Sequence, residues 1–169
     1  VRLFPAFIVP DRGRMKSQFA DLAYGYEKEN QNHARIERCL GVQLAKLDKY
    51  HTMDWKEIQE EGDETPPWYV EQKARKLSYA FCREHYFSPK GNLPSCLIGK
   101  HKIDFMENNG NGVVFFDFTD KLMYWVYDGE EYRTFEVEEK FVRGNRVDYV
   151  DKPSPVVHIP LSILKECPP

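Results

Sequence analysis

D-W-K-E-I-Q-E-E-G-D-E-T-P-P-W-Y-V-E-Q-K, running from Asp54 to Lys73, sets an acid ahead of the triplet Glu71-Gln72-Lys73. Trp68 to Lys73 is rich in aromatic and β-branched residues and reads as a strand. Side chains alternate across a strand, so Glu71 and Lys73 share one face while Gln72 points to the other. With Asp54 on a neighbouring strand, two carboxylates converge and can hold a hard divalent cation, with a lysine ammonium beside them. Bound there, Mg²⁺ or Mn²⁺ supplies a Lewis acid and an acidified water, and the lysine places that water or offsets developing charge. Such a grouping suits the hydrolysis of phosphodiesters. The local triplet also occurs at Asp54-Trp55-Lys56 and Glu138-Glu139-Lys140, so it gains meaning only from its surroundings.

Immediately upstream, Tyr50 to Trp55 reads as a short strand presenting Asp54. Between the two strands, Glu57, Glu60, Glu61, Gly62, Asp63, Glu64 and two prolines form an acidic turn, the connection of a hairpin. Further back, from about Ser17 to Lys49, the residues Leu22, Glu29, His33, Ile36, Leu40, Leu44 and Leu47 recur at helical intervals. Gly41 marks a break or kink, giving one long helix or two joined ones. Glu29 is the acid in this stripe. A carboxylate on an inward face is costly unless paired, protonated or bound to a cation. Two readings stay open: a boundary residue paired with His33 one turn on, or a third acid aimed at the same metal. Residues 1 to 17, with two prolines and one glycine, read as an irregular arm packed on the domain.

Downstream, residues 74 to 96 interleave Tyr79, Phe81, His85, Tyr86 and Phe87 with basic residues, a composition that suits either core packing or stacking on nucleic-acid bases. Ser88 to Asn92 is a turn, and Gly99 to Asn108 is a helix closed by Asn109-Gly110-Asn111-Gly112. Val113 to Asp117 and Lys121 to Tyr127 form a hairpin, Arg133 to Val142 a further strand, and Asp151 to Pro155 a loop. Val156 to Ile159 precedes Pro160, which opens a short helix through Leu164.

A chain of 169 residues, 41% hydrophobic and 14% aromatic, can bury one good core, and residues 1-169 are expected to form a single domain. Its net charge of -3 argues against a globally basic binder. The distribution is uneven: from Lys73 to Lys102 seven Lys and Arg stand against one acid, Glu84, just after the candidate site, where a phosphate backbone would lie. Cys39, Cys82, Cys96 and Cys167 lack zinc-site spacing and read as buried or free thiols. No apolar run is long enough to cross a bilayer, and the opening residues lack a signal-peptide layout, which favours an intracellular, cytoplasmic or nuclear location over secretion.

With Glu29, Asp54, Glu71 and Lys73 in view, the chain resembles the PD-(D/E)xK, or restriction-endonuclease-like, nuclease superfamily, and among its members the small nucleases of large DNA viruses and phages. The resemblance runs from about Gly25 to the C-terminus. It is carried by Gly25-Tyr26-Glu27-Lys28-Glu29, by His51-Thr52-Met53-Asp54 and by Tyr69-Val70-Glu71-Gln72-Lys73-Ala74-Arg75. Further carriers are Leu97 to Asp104 and Phe115 to Trp125. Met53 stands where many members have proline. The resemblance implies an α/β (α+β) fold, a mixed central sheet flanked by helices, here with an extra C-terminal β-hairpin. It implies Glu29, Asp54 and Glu71 as ligands of Mg²⁺ or Mn²⁺ and Lys73 as the catalytic lysine. Arg75, Lys76, Tyr79, Arg83, Lys100 and Lys102 would meet nucleic acid, DNA ahead of RNA, and a homodimer would suit cutting of two strands.

A competing register within the same fold uses Asp104 and Asp117 with Thr119 and Lys121, which resembles viral cap-snatching RNA endonucleases. It lacks an upstream helix acid at matching spacing. The five histidines show no pairing suited to a metal. Two further readings are of other classes: a catalytically silent nucleic-acid-binding or scaffolding domain, and a protein-interaction module that uses the exposed aromatic residues.

Overall fold

A computed structural model describes residues 12–141 and 154–169. Helix α1 (Arg12–Leu40) comes first. It ends because Gly41 takes a left-handed conformation (φ +70°), letting the amides of Gly41 and Val42 both bond back to the Glu37 carbonyl. The expected helical stripe therefore stops at Leu40. Leu44, assigned to it by periodicity, lies instead in strand β1 (Leu44–Lys46), and Leu47 follows that strand. At its other end the helix takes in residues 12–17 of the expected irregular arm; residues 1–11 lie outside the described residues.

Three strands then run back and forth. β1 pairs antiparallel with β2 (Trp55–Glu57), and β2 with β3 (Tyr69–Ala74), across the acidic connection. The strand expected at residues 50–55 begins only at Trp55. The residues before it are held in bends, with the Tyr50 amide bonded to Asp48 Oδ1 and the Met53 amide to His51 Nδ1. After β3 the chain forms α2 (Tyr79–His85), capped at its start by the Ser78 hydroxyl, then β4 (Ser95–Gly99) and α3 (Lys100–Asn109). β5 (Gly112–Asp117) returns parallel to β3, with Glu71 beside Val114 and Lys73 beside Phe116. β6 (Leu122–Val126) closes a hairpin with β5, so that hairpin belongs to the central sheet.

The sheet is completed by β9 (Lys165–Glu166), giving the order β1-β2-β3-β5-β6-β9. After β6, the short α4 (Gly129–Tyr132) leads into β7 (Glu136–Phe141). β7 pairs with β8 (Ser154–Pro160), and β4 joins them in a second, three-stranded sheet. The hairpin expected as an extra C-terminal feature, Val113 to Tyr127, is thus part of the central sheet, and the pairing of β7 with β8 and β4 is one the sequence reading did not assign. Val142 and residues 151–153 of the expected strand and loop lie outside the described residues, while Ser154 and Pro155 are already in β8. Pro160 leads into a 3-10 turn (Leu161–Ile163) as the sequence indicates.

The fold is mixed α and β, with a mixed central sheet between helices. Strand alternation divides the core in two. On the α1 side, Ile36 packs with Trp55, Val70, Val113, Phe115 and Leu122. On the other side, Val114, Phe116, Met123 and Trp125 meet Ile103 and Met106 of α3, and Ile98, Val157 and Ile159 of the second sheet. Each fully buried Val, Ile or Phe contributes about 1.5–3 kcal/mol, so these two faces dominate the stability. No helix among the described residues is long and apolar enough to cross a membrane.

Candidate active site

β3 carries the centre of the site. Val70 faces α1 and Glu71 faces α3, and the alternation continues: the Gln72 side chain donates to the Lys28 carbonyl on α1 (3.0 Å), while Lys73 returns to the side of Glu71. Lys73 Nζ stands 2.7 Å from Glu71 Oε1. Glu71 is only 1% exposed, and its second oxygen is taken by Lys102 from α3 at 3.2 Å. Lys102 also donates to the Thr52 carbonyl, which ties the turn before Asp54 to β3.

Asp54 sits one residue before β2, not within a strand. Its amide bonds to the Val70 carbonyl (3.0 Å) and its own carbonyl accepts from the Leu47 amide (2.9 Å). These bonds lodge it between the ends of β1 and β3. Its carboxylate accepts the backbone amide of Gln72 at 2.8 Å, in the middle of the E-x-K triplet. Burial pushes the Asp54 carboxyl above the usual carboxylate range, and the charge of Glu71 adds to that; the Gln72 amide, Lys46 and Lys73 oppose it.

Glu29 enters from α1. It pairs with Lys46 of β1 and not with His33, whose imidazole stacks on Trp55 at 4.3 Å and faces Glu37 and the Leu44 carbonyl. Burial raises the Glu29 pKa first. The Lys46 bond lowers it, and the charge of Asp54 raises it again. The three acids are therefore electrostatically linked through Asp54, with Lys46, Lys73 and Lys102 distributed around them.

Three carboxylates of this kind are the donors that a hard divalent cation takes, and the mutual repulsion around Asp54 is what such a cation would relieve. The donor chemistry fits Mg²⁺ or Mn²⁺. Among the described residues, however, no three acidic, histidine or cysteine side chains stand together at metal-ligand spacing. Glu29 is paired with Lys46, and Glu71 with Lys73 and Lys102.

The residues expected to meet nucleic acid divide into several groups. Lys102 belongs to the site itself. Lys100 pairs with Asp104 at 2.8 Å. Arg75 turns inward, donating to the Leu97 carbonyl (2.6 Å) with its guanidinium 5.5 Å from the Phe116 ring centre; burial lowers its pKa. Tyr79 also packs inward, its hydroxyl donating to the Leu161 carbonyl (3.2 Å) and its ring meeting Phe118 edge-on. Lys76 lies over the Tyr24 ring at 5.5 Å, and Arg83 is exposed on α2.

The competing acids do not converge. Asp104 lies on α3, bonded to Lys100 and to the Tyr132 hydroxyl at 2.9 Å. Asp117 follows the Phe115 side of β5 to the α1 face, where Asn32 donates to it at 2.6 Å and Lys28 stands 4.0 Å away. Lys46 is the member of the site that sequence reading passed over. Helical periodicity absorbed its segment, and a lone lysine carries no signal of the acid it will meet. The four cysteines are free thiols, none of them part of this group.

Comparison with protein families, with curated proteins and with solved structures finds no match to this chain.

Proposed function

We propose that this chain is a divalent-metal-dependent nuclease of restriction-endonuclease-like fold, hydrolysing phosphodiester bonds in nucleic acid, with DNA ahead of RNA. The observation that carries this reading is the meeting of Glu71 and Lys73 on one face of β3 with the Asp54 carboxylate bonded to the amide between them. The order of elements supports it as well. A helix bearing Glu29, a strand start bearing Asp54, an acidic connection and a strand bearing E-x-K sit in a mixed sheet between helices, as the sequence resemblance implies.

Glu29, Asp54 and Glu71 would hold Mg²⁺ or Mn²⁺, which when bound supplies a Lewis acid toward the phosphate and an acidified water. The protein's own contribution is positional. β3 aims Glu71 and Lys73 the same way, and the Gln72 amide fixes one Asp54 oxygen. Lys73, 26% exposed, is the ammonium best placed to leave its carboxylate and meet a substrate oxygen or the attacking water; Lys102, 16% exposed and bonded to Thr52, is held back as a brace.

Cleavage of labelled single- and double-stranded DNA and RNA with Mg²⁺, Mn²⁺ or EDTA tests the proposal. Metal-dependent cutting that disappears in Glu71→Ala and Lys73→Ala is the expected result; cutting at the parent level in both variants overturns it. A second reading, a silent nucleic-acid-binding domain, is favoured by the lysines that already neutralise Glu29 and Glu71. Salt-sensitive binding with no cleavage in any metal would select that reading.

A further inference from the structure

Two cysteines from opposite ends of the chain meet where the C-terminal segment crosses α1. Cys39 lies in the last turn of α1, and Cys167 directly follows β9. Cys167 is fully buried in the apolar cluster beneath α1, and the half-buried Cys39 packs against that same cluster. The segment is fixed on two sides. The Cys167 amide donates to the Leu122 carbonyl (2.8 Å), and the Arg35 guanidinium donates to the carbonyls of Cys167 (2.7 Å) and Pro168 (2.9 Å). Arg35 stands one helical turn before Cys39, so the arginine that clamps the segment and the cysteine share a face of α1.

The Arg35 carbonyl locates both sulfurs. In an α-helix it accepts the amide of Cys39, and a helical side chain lies back over the turn that precedes it. Cys39 Sγ therefore borders this carbonyl. Cys167 Sγ lies 4.0 Å from the same oxygen. The Cys167 thiol is pushed up to about 11, by burial first and then by its hydrogen bond with Cys39. The other two cysteines are arranged differently. Cys82 of α2 and Cys96 of β4 each neighbour the Arg75 guanidinium, and Cys96 Sγ is bonded to the Ile159 carbonyl at 3.8 Å.

We propose that Cys39 and Cys167 form a redox modification site, a dithiol that a low-molecular-weight disulfide of the glutathione type converts to an internal disulfide, stapling the C-terminal segment to α1. Cys39, the more exposed of the two, attacks first as its thiolate. Its sulfur bonds to one sulfur of the reagent, and the other leaves as a thiolate. Cys167 then gives its proton to solvent and attacks Cys39 Sγ, forming the internal bond and releasing the second thiolate. Two protein thiols are oxidised and one reagent disulfide is reduced to two thiols. The staple joins residues nearly at opposite ends of the described chain, and closing so long a loop restricts the unfolded state strongly. It ties down the helix that carries Glu29, and it forms whether or not the chain is a nuclease.

The test treats the reduced full chain, dilute and at pH 8, with oxidised glutathione, then blocks remaining thiols with iodoacetamide and maps the peptides by mass spectrometry. The parent should become two hydrogens lighter, with the Cys39 and Cys167 peptides joined, and its titratable thiols should halve from the four of the reduced chain. Cys39→Ser should form no internal link. Cys167→Ser should stop at a glutathione adduct on Cys39. Should the buried Cys167→Ser fail to fold, the parent map and Cys39→Ser still decide. A parent that stops at the adduct, stays reduced, links Cys82 to Cys96 instead or links only between molecules overturns the proposal.

Thermal melting of the oxidised and reduced parent supplies the second readout. The oxidised form should melt roughly 5–15 °C higher, and dithiothreitol should return it to the reduced value. Cys39→Ser, carried through the same treatment, should show no such rise. A link that leaves the melting temperature unchanged or lowers it would mean that the folded geometry does not accommodate the bond.

Discussion

Lys102 of α3 and Lys73 of β3 grip opposite oxygens of the same buried carboxylate, that of Glu71, at 3.2 and 2.7 Å. The two lysines differ in what else they do. Lys102 also bonds the Thr52 carbonyl and so braces the turn that delivers Asp54, whereas Lys73 has no second bond of that kind among those described.

Lys102→Met should therefore destabilise the fold by about 2–3 kcal/mol, because it strips a donor from a buried carboxylate and from a backbone carbonyl together. Lys73→Met, at a more exposed position, should cost about 1 kcal/mol. Urea denaturation of both variants checks the order; equal midpoints would remove the bracing role from Lys102.

Asp54→Asn should stabilise the protein at neutral pH. The folded state raises the Asp54 pKa chiefly through burial, then through Glu71. A group of this kind holds its proton more tightly when folded, so its contribution to stability is greatest below both pKa values. It declines as pH rises from the ordinary aspartate value of about 3.9 through the raised folded one. The difference in stability between variant and parent should grow across that window and level off above it. Chemical denaturation at a series of pH values measures it; a flat difference would mean that Asp54 is charged at no cost.

Adding Mg²⁺ or Mn²⁺ should raise the melting temperature of the parent, since an ion that binds only the folded state at a hundred times its Kd stabilises it by about 2.7 kcal/mol. EDTA should reverse the shift, and Glu71→Gln should abolish it. Differential scanning calorimetry reads this without any substrate. The same shift in Glu71→Gln would place the ion elsewhere.

Gly112→Ala should destabilise by about 1–3 kcal/mol. A Cβ at this first residue of β5 would come within 2.2 Å of Met106 Cγ, and Met106 is itself buried where α3 crosses the sheet. Thermal melting checks the loss, and adding Met106→Ala should recover part of it by opening the space.

The candidate site was legible in part because it depends on strand parity. Glu71 and Lys73 share a face by the two-residue repeat of any strand, and Gln72 turns to α1 for the same reason. The helix at residues 100–109 and the β5–β6 hairpin were legible as well, since their residue patterns and bounding glycines act over a few positions. Periodicity misled around residues 41–55. Leu44 keeps helical spacing with Ile36 and Leu40, but the positive φ of Gly41 ends the helix, and sheet pairing then claims Leu44. Ser95 to Gly99 gave no strand signal of its own because its partner in the second sheet lies some sixty residues away.

By itself, then, the sequence determined the local side-chain order of β3, the charge asymmetry after Lys73, and the helix and hairpin between residues 100 and 126. Those are properties of neighbours along the chain. Only the tertiary structure decided that Lys46 holds Glu29, that Lys102 crosses from α3 to Glu71, and that Arg75 and Tyr79 turn inward while Phe81 and Tyr86 stay exposed. Each of these depends on which elements pack together. A charged side chain takes its partner from whatever surface the fold brings opposite it, and that surface is fixed by burial of the two apolar faces of the central sheet.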